Sequence, residues 1–245
     1  MDEYKLCLIV PCYKHESLLD QMLSRLETAQ LHCFVIDDGS DDKAQQIISE
    51  CTAERKWVSV IHRKENGGKG AAVIDGFQEA LKNGYTHVLQ IDADCQHNVE
   101  DIAKFTELSK CHPDTLILGQ AVYDTSVPKS RLYGRYITHF WVMVETLSFK
   151  VIDTMCGFRI YPLKQVSKVN MKRIGLRMDF DVEMAVRSIW AGVPFKLLKT
   201  NVVYPENGIS NFHYLKGNLR ISWMHTRLFF GMLIRLPLII AGKFK

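Results

Sequence analysis

Short apolar runs alternate with longer helix-like stretches through the first half of this chain, and that alternation restricts the fold more than any other feature. Leu6–Val10, Cys33–Ile36, Val58–Ile61, Val88–Ile91 and Leu116–Leu118 read as strands, and 16–29, 41–55, 69–83 and 99–110 as helices. Such a pattern predicts an α/β fold, with a mostly parallel central sheet and helices on both faces. Ser40 before Asp41 and Asp42 suits a helix start, where an N-cap and negative first-turn charge are favoured. From about 130 the pattern changes. A long apolar helix is predicted at 131–150, then a turn around MCGFRIYP, a helix from Phe180 to Ala191, and a strand pair at Phe195–Lys199 and Val202–Tyr204.

At 245 residues the chain suits one large core, and no linker divides it. Hydrophobic residues at 47% and charged residues at 24% exclude a disordered or polytopic membrane class. The net charge of +4 is too mild to imply nucleic acid, so none is expected as a partner. Seven scattered cysteines without a C-x-x-C pair suggest neither a disulfide framework nor a zinc site, and fit a reducing cytosol. The stretch MDEYKLCLIVPCYKHE has two acids before a short apolar run and no small-residue cleavage pattern, so a secretory leader is not expected.

The strand ends carry the chemistry. Pro11, Asp37, Gly67 and Asp92 all follow at or near a strand's carboxyl end, the edge where open α/β sheets bind ligands. In LQIDADCQHN, Asp92 and Asp94 fall on one face if strand geometry persists. Two carboxylates so placed repel unless a cation offsets them, and oxygen ligands suit Mg2+ or Mn2+ shared with substrate phosphates. An isolated D-x-D also serves as an ordinary turn and helix cap, so its neighbours decide its meaning. NGGKGAA is not a triphosphate-binding loop, because Gly70 stands where a Ser or Thr should follow the lysine. Lys69 is left with two readings, a phosphate contact or a charge at the helix start.

The segments VPCYKHE, VIDDGSDD, NGGKGAA, DADCQH, KSRLYGR, MCGFRIYP and RMDFDVEM occur in this order. Together they resemble the family 2 glycosyltransferases, most closely the polyprenyl-phosphate sugar transferase branch that includes dolichyl-phosphate mannose synthase. The resemblance spans about residues 5 to 212. It implies a glycosyltransferase-A fold, a nucleotide-diphosphate sugar donor and a divalent metal, Mg2+ or Mn2+. It assigns Pro11, Tyr13, Asp37 and Asp38 to the nucleotide base and ribose, with Lys69 also on the donor. Asp94 is implied as the direct metal ligand, with Asp92 and Gln96 shared between metal and donor. Arg131 is implied at the diphosphate and Arg159, in G-F-R, at an acceptor phosphate. The chain departs from the family pattern with Lys14-His15 after the tyrosine and with Cys95 inside the acid motif.

An inverting transfer follows from this pattern. An acceptor hydroxyl would need a general base, for which Asp181 is chosen over Glu183; an anionic polyprenyl phosphate would not. After Glu206 no acid remains, while Lys216, Arg220, Arg227, Arg235, Lys243 and Lys245 add six positive charges. The apolar run Leu228–Ala241 is interrupted by Arg235 and Pro237 and is shorter than the ~20 residues of a membrane span. We therefore read 1–212 as the catalytic domain and 213–245 as an amphipathic tail on the inner face of the cytoplasmic membrane, where a lipid or lipid-phosphate acceptor would be presented. Packing of the tail on the core is the alternative. A second function is transfer to a hydroxyl of a glycan or lipid headgroup; a third is a non-catalytic nucleotide-sugar binding protein.

Overall fold

A computed structural model describes residues 3–123, 127, 129–203 and 214–240. Seven strands form one sheet: β1 (Leu6–Cys12), β2 (Cys33–Asp37), β3 (Val58–His62), β4 (His87–Gln90), β5 (Leu116–Tyr123), β6 (Arg159–Pro162) and β7 (Phe195–Val202). Their order is β3-β2-β1-β4-β6-β5-β7. Helices α1 (Glu16–Leu26), α2 (Asp42–Thr52), α3 (Lys69–Lys82) and α4 (Ile102–Cys111) link the first five strands. Then come α5 (Lys129–Thr146), α6 (Leu163–Val166), α7 (Phe180–Trp190) and α8 (Tyr214–Ile240).

The period of two along β1 shows how the sheet is covered. Leu6, Leu8 and Val10 pack with Leu19, Met22 and Leu23 of α1 and Phe105 of α4. Cys7 and Ile9 instead pack with Val73 and Phe77 of α3 and Met184 of α7. Both faces of the strand are therefore dry, and helices lie on both sides. Gly76 of α3 makes this approach possible, because a Cβ there would stand 3.1 Å from the Ile9 side chain.

Two expectations change. MCGFRIYP is not only a turn: β6 inserts antiparallel between β4 and β5, and all four of its residues are buried. Its shortness and the leading Arg159 hide it from periodicity. Nor is there a strand pair after 195, because β7 is one strand pairing parallel with β5 from Phe195 to Val202; Tyr204 lies outside the described residues.

A third apolar cluster joins α5, α7 and α8 through Val142, Val186, Trp190, Met224, Leu228 and Met232. One side of α8 is thus docked on the body. Its other side exposes Leu215, Leu219, Trp223, Phe230, Ile234 and Leu238. No described helix is long and apolar enough to cross a membrane.

Candidate active site

The site forms beyond the carboxyl ends of β1, β2 and β4, and its centre is a buried lysine. Lys69 Nζ is 2.7 Å and 2.8 Å from the two carboxylate oxygens of Asp92 and 2.6 Å from Asp181. The glycines of NGGKG bring this about. A Cβ on Gly70 would stand 2.6 Å from that of Phe180, so only glycine lets α3 start against the first turn of α7, beside Asp181. Gly68 adopts φ +99, a left-handed conformation that favours glycine. Their amides cradle no phosphate here: Gly67 and Gly68 donate to Asp38, at 2.9 and 2.7 Å.

Asp38 is therefore the organiser of the glycine loop. It also accepts from Asn66 Nδ2 at 2.9 Å and pairs with Arg63. Asp37 is fully buried, accepting from the Ser40 amide at 3.1 Å and meeting His62 Nδ1 at 2.9 Å. Both acids thus hold the loops at this edge of the sheet. Pro11 near the end of β1 and Tyr13 just beyond it are half-buried, with Lys14 placed 5.4 Å over the Tyr13 ring.

The acid loop after β4 is pinned from below. Arg25 of α1 donates to the carbonyls of Cys95 and His97, each at 2.9 Å. Cys95 sits at φ +59, and its thiol packs against Leu18 and Met22. Gly157 supports the loop from the other side, since a Cβ there would fall against the Asp92 carboxylate, 2.6 Å from its carboxyl carbon. G-F-R thus opens with glycine because Asp92 lies directly on it.

Burial alone would raise the Asp92 pKa, but Lys69 and the nearby His97 hold it well below the carboxylate range. Burial and the Asp92 charge push Asp94 up. His97 Nε2 is 4.0 Å from Asp92; burial opposes its charge, but Cys156 and Asp92 push its pKa up to about 10. Asp92 Oδ1 is buried and accepts no well-aligned hydrogen bond. Asp94 is half-buried, held by the Gln96 amide at 3.1 Å, and Gln96 is half-buried beside it. Hard oxygen donors side by side and an acid disfavoured as an anion fit a divalent cation held by Asp94, Asp92 and Gln96. Among the described residues no group of three or more His, Cys, Asp or Glu side chains is gathered for a metal, so other oxygens would complete its shell.

Arg159 was expected at an acceptor phosphate. It is fully buried, and its guanidinium donates to the carbonyls of Thr154, Cys156 and Asp181 at 2.6–3.0 Å. In this structure it supports the floor of the site through those carbonyls. Arg135 is likewise committed, to Asp153 at 2.8 and 2.9 Å. Arg131 lies in the first turn of α5, and its side chain is outside the described residues. Asp181 and Glu183 diverge as two-residue spacing on a helix requires. Asp181 faces Lys69 and accepts from Gln90 Nε2 at 3.1 Å, while Glu183 turns to Arg187 and Arg227. Sequence reasoning missed Gln90, Arg25 and His97. Gln90 had a signal, as a polar residue in an apolar strand two positions before Asp92.

Comparison with known proteins places this geometry. The chain is 25% identical over 228 residues to the polyprenol monophosphomannose synthase of Mycolicibacterium smegmatis, covering 87% of this chain and 82% of that protein. It is 27% identical over 190 residues to the undecaprenyl-phosphate mannosyltransferase of Micrococcus luteus, covering 75% and 77%. Among solved structures, glucosyl-3-phosphoglycerate synthase from Mycobacterium tuberculosis, in complex with Mn2+, UDP and glucosyl-3-phosphoglycerate, superposes with a TM-score of 0.65 at 11% identity, covering 94% of this chain and 79% of that one. That likeness shows a glycosyltransferase-A fold. The model of glycosyl transferase family 2 matches residues 7–167, well over half of the chain, and this protein belongs to that family of glycosyltransferases.

Proposed function

We propose that the protein transfers a sugar, with inversion, from a nucleotide-diphosphate donor to a lipid-type acceptor, a polyprenyl phosphate or similar, at the inner face of the cytoplasmic membrane. The observation that carries this reading is the Asp92–Asp94 carboxylate pair beyond β4, with Gln96 half-buried beside it and Asp94 pushed up by burial and the Asp92 charge. The names of the M. smegmatis and M. luteus relatives support a polyprenyl-phosphate acceptor. The exposed apolar side of α8 supports peripheral attachment.

Pro11 and Tyr13 receive the base, and Asp37 and Asp38 fix the loops around the ribose. Lys69 keeps Asp92 ionised and holds Asp92 and Asp181 in register, and Arg131 neutralises the departing diphosphate. Mg2+ or Mn2+, held by Asp94, Asp92 and Gln96, supplies charge to the leaving oxygens when bound. Arg159 holds the backbone at Asp181 and Cys156. A phosphate acceptor is already anionic and attacks without a base.

Transfer to a hydroxyl is the second reading, favoured by the placement of Asp181 one ammonium away from Asp92. Purified protein, Mn2+ and a panel of uridine and guanosine diphosphate sugars, with or without polyprenyl phosphate, test the proposal. Release of nucleoside diphosphate that depends on the lipid phosphate and yields an inverted product supports it. Release that needs a hydroxyl acceptor and vanishes in D181N supports the second reading, and no release with any donor overturns both.

A further inference from the structure

We propose that the groove between α7 and α8 binds the phosphate headgroup of an anionic bilayer phospholipid. It shares no residue with the Lys69–Asp92–Asp181 centre, and the inference goes beyond the transfer reaction, whatever acceptor that uses. The groove is a cavity of about 380 Å3 with Arg173, Arg187, Arg227 and Arg235 among its lining. Four guanidinium groups around one cavity repel each other unless anions answer them.

One acid does so. Glu183 is fully buried and accepts from Arg187 Nε at 2.8 Å and Nη2 at 2.6 Å, from Arg227 Nη2 at 2.8 Å and from the Gly175 amide at 2.9 Å. Arg235 has no acid within reach among the described residues: it donates to the Gly231 carbonyl and lies 4.7 Å over the Trp190 ring. Arg173 is exposed and in no ion pair among the described residues. Arg227 Nε is buried without a hydrogen-bond partner. Burial and the charges of Arg187 and Arg173 lower the Arg235 pKa, the sign of unanswered positive charge. A phosphate, with several oxygens in charge-assisted geometry, matches these donors.

The other lip argues for a lipid over a free phosphate. Trp223, Phe230 and Ile234 are exposed at 63%, 59% and 80%, and all three line the same cavity. Positions 223, 230 and 234 are seven and four apart, so they share one face of α8. A helix with arginines beside an exposed apolar face lies in the plane of a bilayer, its apolar residues among the acyl chains and its cations at the headgroups.

Cosedimentation of the full chain, without sugar nucleotide, tests this with vesicles of phosphatidylcholine alone or mixed with phosphatidylglycerol. The parent should prefer the mixed vesicles. R173Q, which removes an exposed side chain, should lose about fivefold in partitioning, and R173Q/R235Q about 30-fold, from ~1 kcal/mol per basic residue at an anionic surface. K43Q/K110Q removes the same net charge from α2 and α4, on the opposite side of the sheet, and should partition as the parent does. Equal losses in the two double variants, or no preference for phosphatidylglycerol, overturn the proposal. Binding of inorganic phosphate that R173Q/R235Q abolishes, while parent and variant partition equally onto the mixed vesicles, also overturns it, in favour of a free-phosphate site.

Discussion

Replacing Gly157 by Ala perturbs one atom's worth of space under Asp92. The added Cβ would sit 2.6 Å from the carboxyl carbon, against an ordinary contact distance of 3.4 Å. One carboxylate oxygen would be closer still, so either the carboxylate rises by more than about 1 Å or the start of β6 sinks. β6 is buried on both sides and hydrogen-bonded to β4 and β5, so the carboxylate is the softer partner. Its rise breaks the Lys69 contacts, which are 2.7 and 2.8 Å long. Overpacking of this kind costs about 1–3 kcal/mol of stability. A misplacement near 1 Å at a reacting centre costs about a hundredfold in rate. The assay is sugar transfer alongside urea unfolding of the same preparation. G157A should remain folded while losing about two orders of magnitude in kcat. Unchanged kcat in a folded G157A protein would refute the claim that Asp92 must be where Gly157 lets it lie.

Lys69→Met leaves Asp92 and Asp181 without their cation; breaking such an enclosed pair costs about 3–5 kcal/mol, read by thermal unfolding, and Mn2+ should restore more of the Tm in K69M than it adds to the parent. Asp38→Ala removes the acceptor for the Gly67 and Gly68 amides, and should cost at least about 3 kcal/mol in urea unfolding and weaken nucleotide binding. Asp153 is opposed by burial, yet His139 and Arg135 hold its pKa below the usual 3.8. A depressed carboxyl stabilises fully above its unfolded pKa and loses that contribution as pH falls toward its folded one, so D153N should flatten stability against pH below about 4 in acid unfolding monitored by circular dichroism.

Alternating apolar runs made the five strands of the first half legible, because each is continuous, apolar and bounded by a turn. The ends of the first four slipped by one or two residues, as where β1 runs on through Pro11 to Cys12, while β5 runs five residues past Leu118 to Tyr123; the helix from 16 closes at Leu26 before a single tight turn. β6 was not legible, since four residues led by an arginine have no period to measure. The single β7 was misread as a pair because its neighbour in space is β5, far earlier in the chain. Asp92, Asp94, Asp181 and Lys69 could be singled out from the ordered motifs and the resemblance they carry, and the structure brings Lys69, Asp92 and Asp181 together. That Lys69 joins the two acids could not, because the contact spans 112 residues and depends on Gly70 meeting Phe180. The surroundings of Arg159 were not legible for a physical reason: an arginine beside a motif glycine signals charge, and only the fold shows that backbone carbonyls surround it.

The account rests on a divalent ion at the β4 acids carrying the donor's diphosphate, and calorimetric titration of UDP and GDP into the protein, with Mn2+ and with EDTA, measures that directly. Binding of one nucleotide should strengthen by at least about tenfold with Mn2+, and D94N should erase the gain while keeping the weak metal-free binding. Equal affinity with Mn2+ and EDTA, or a D94N protein whose Mn2+ response matches the parent's, would contradict it.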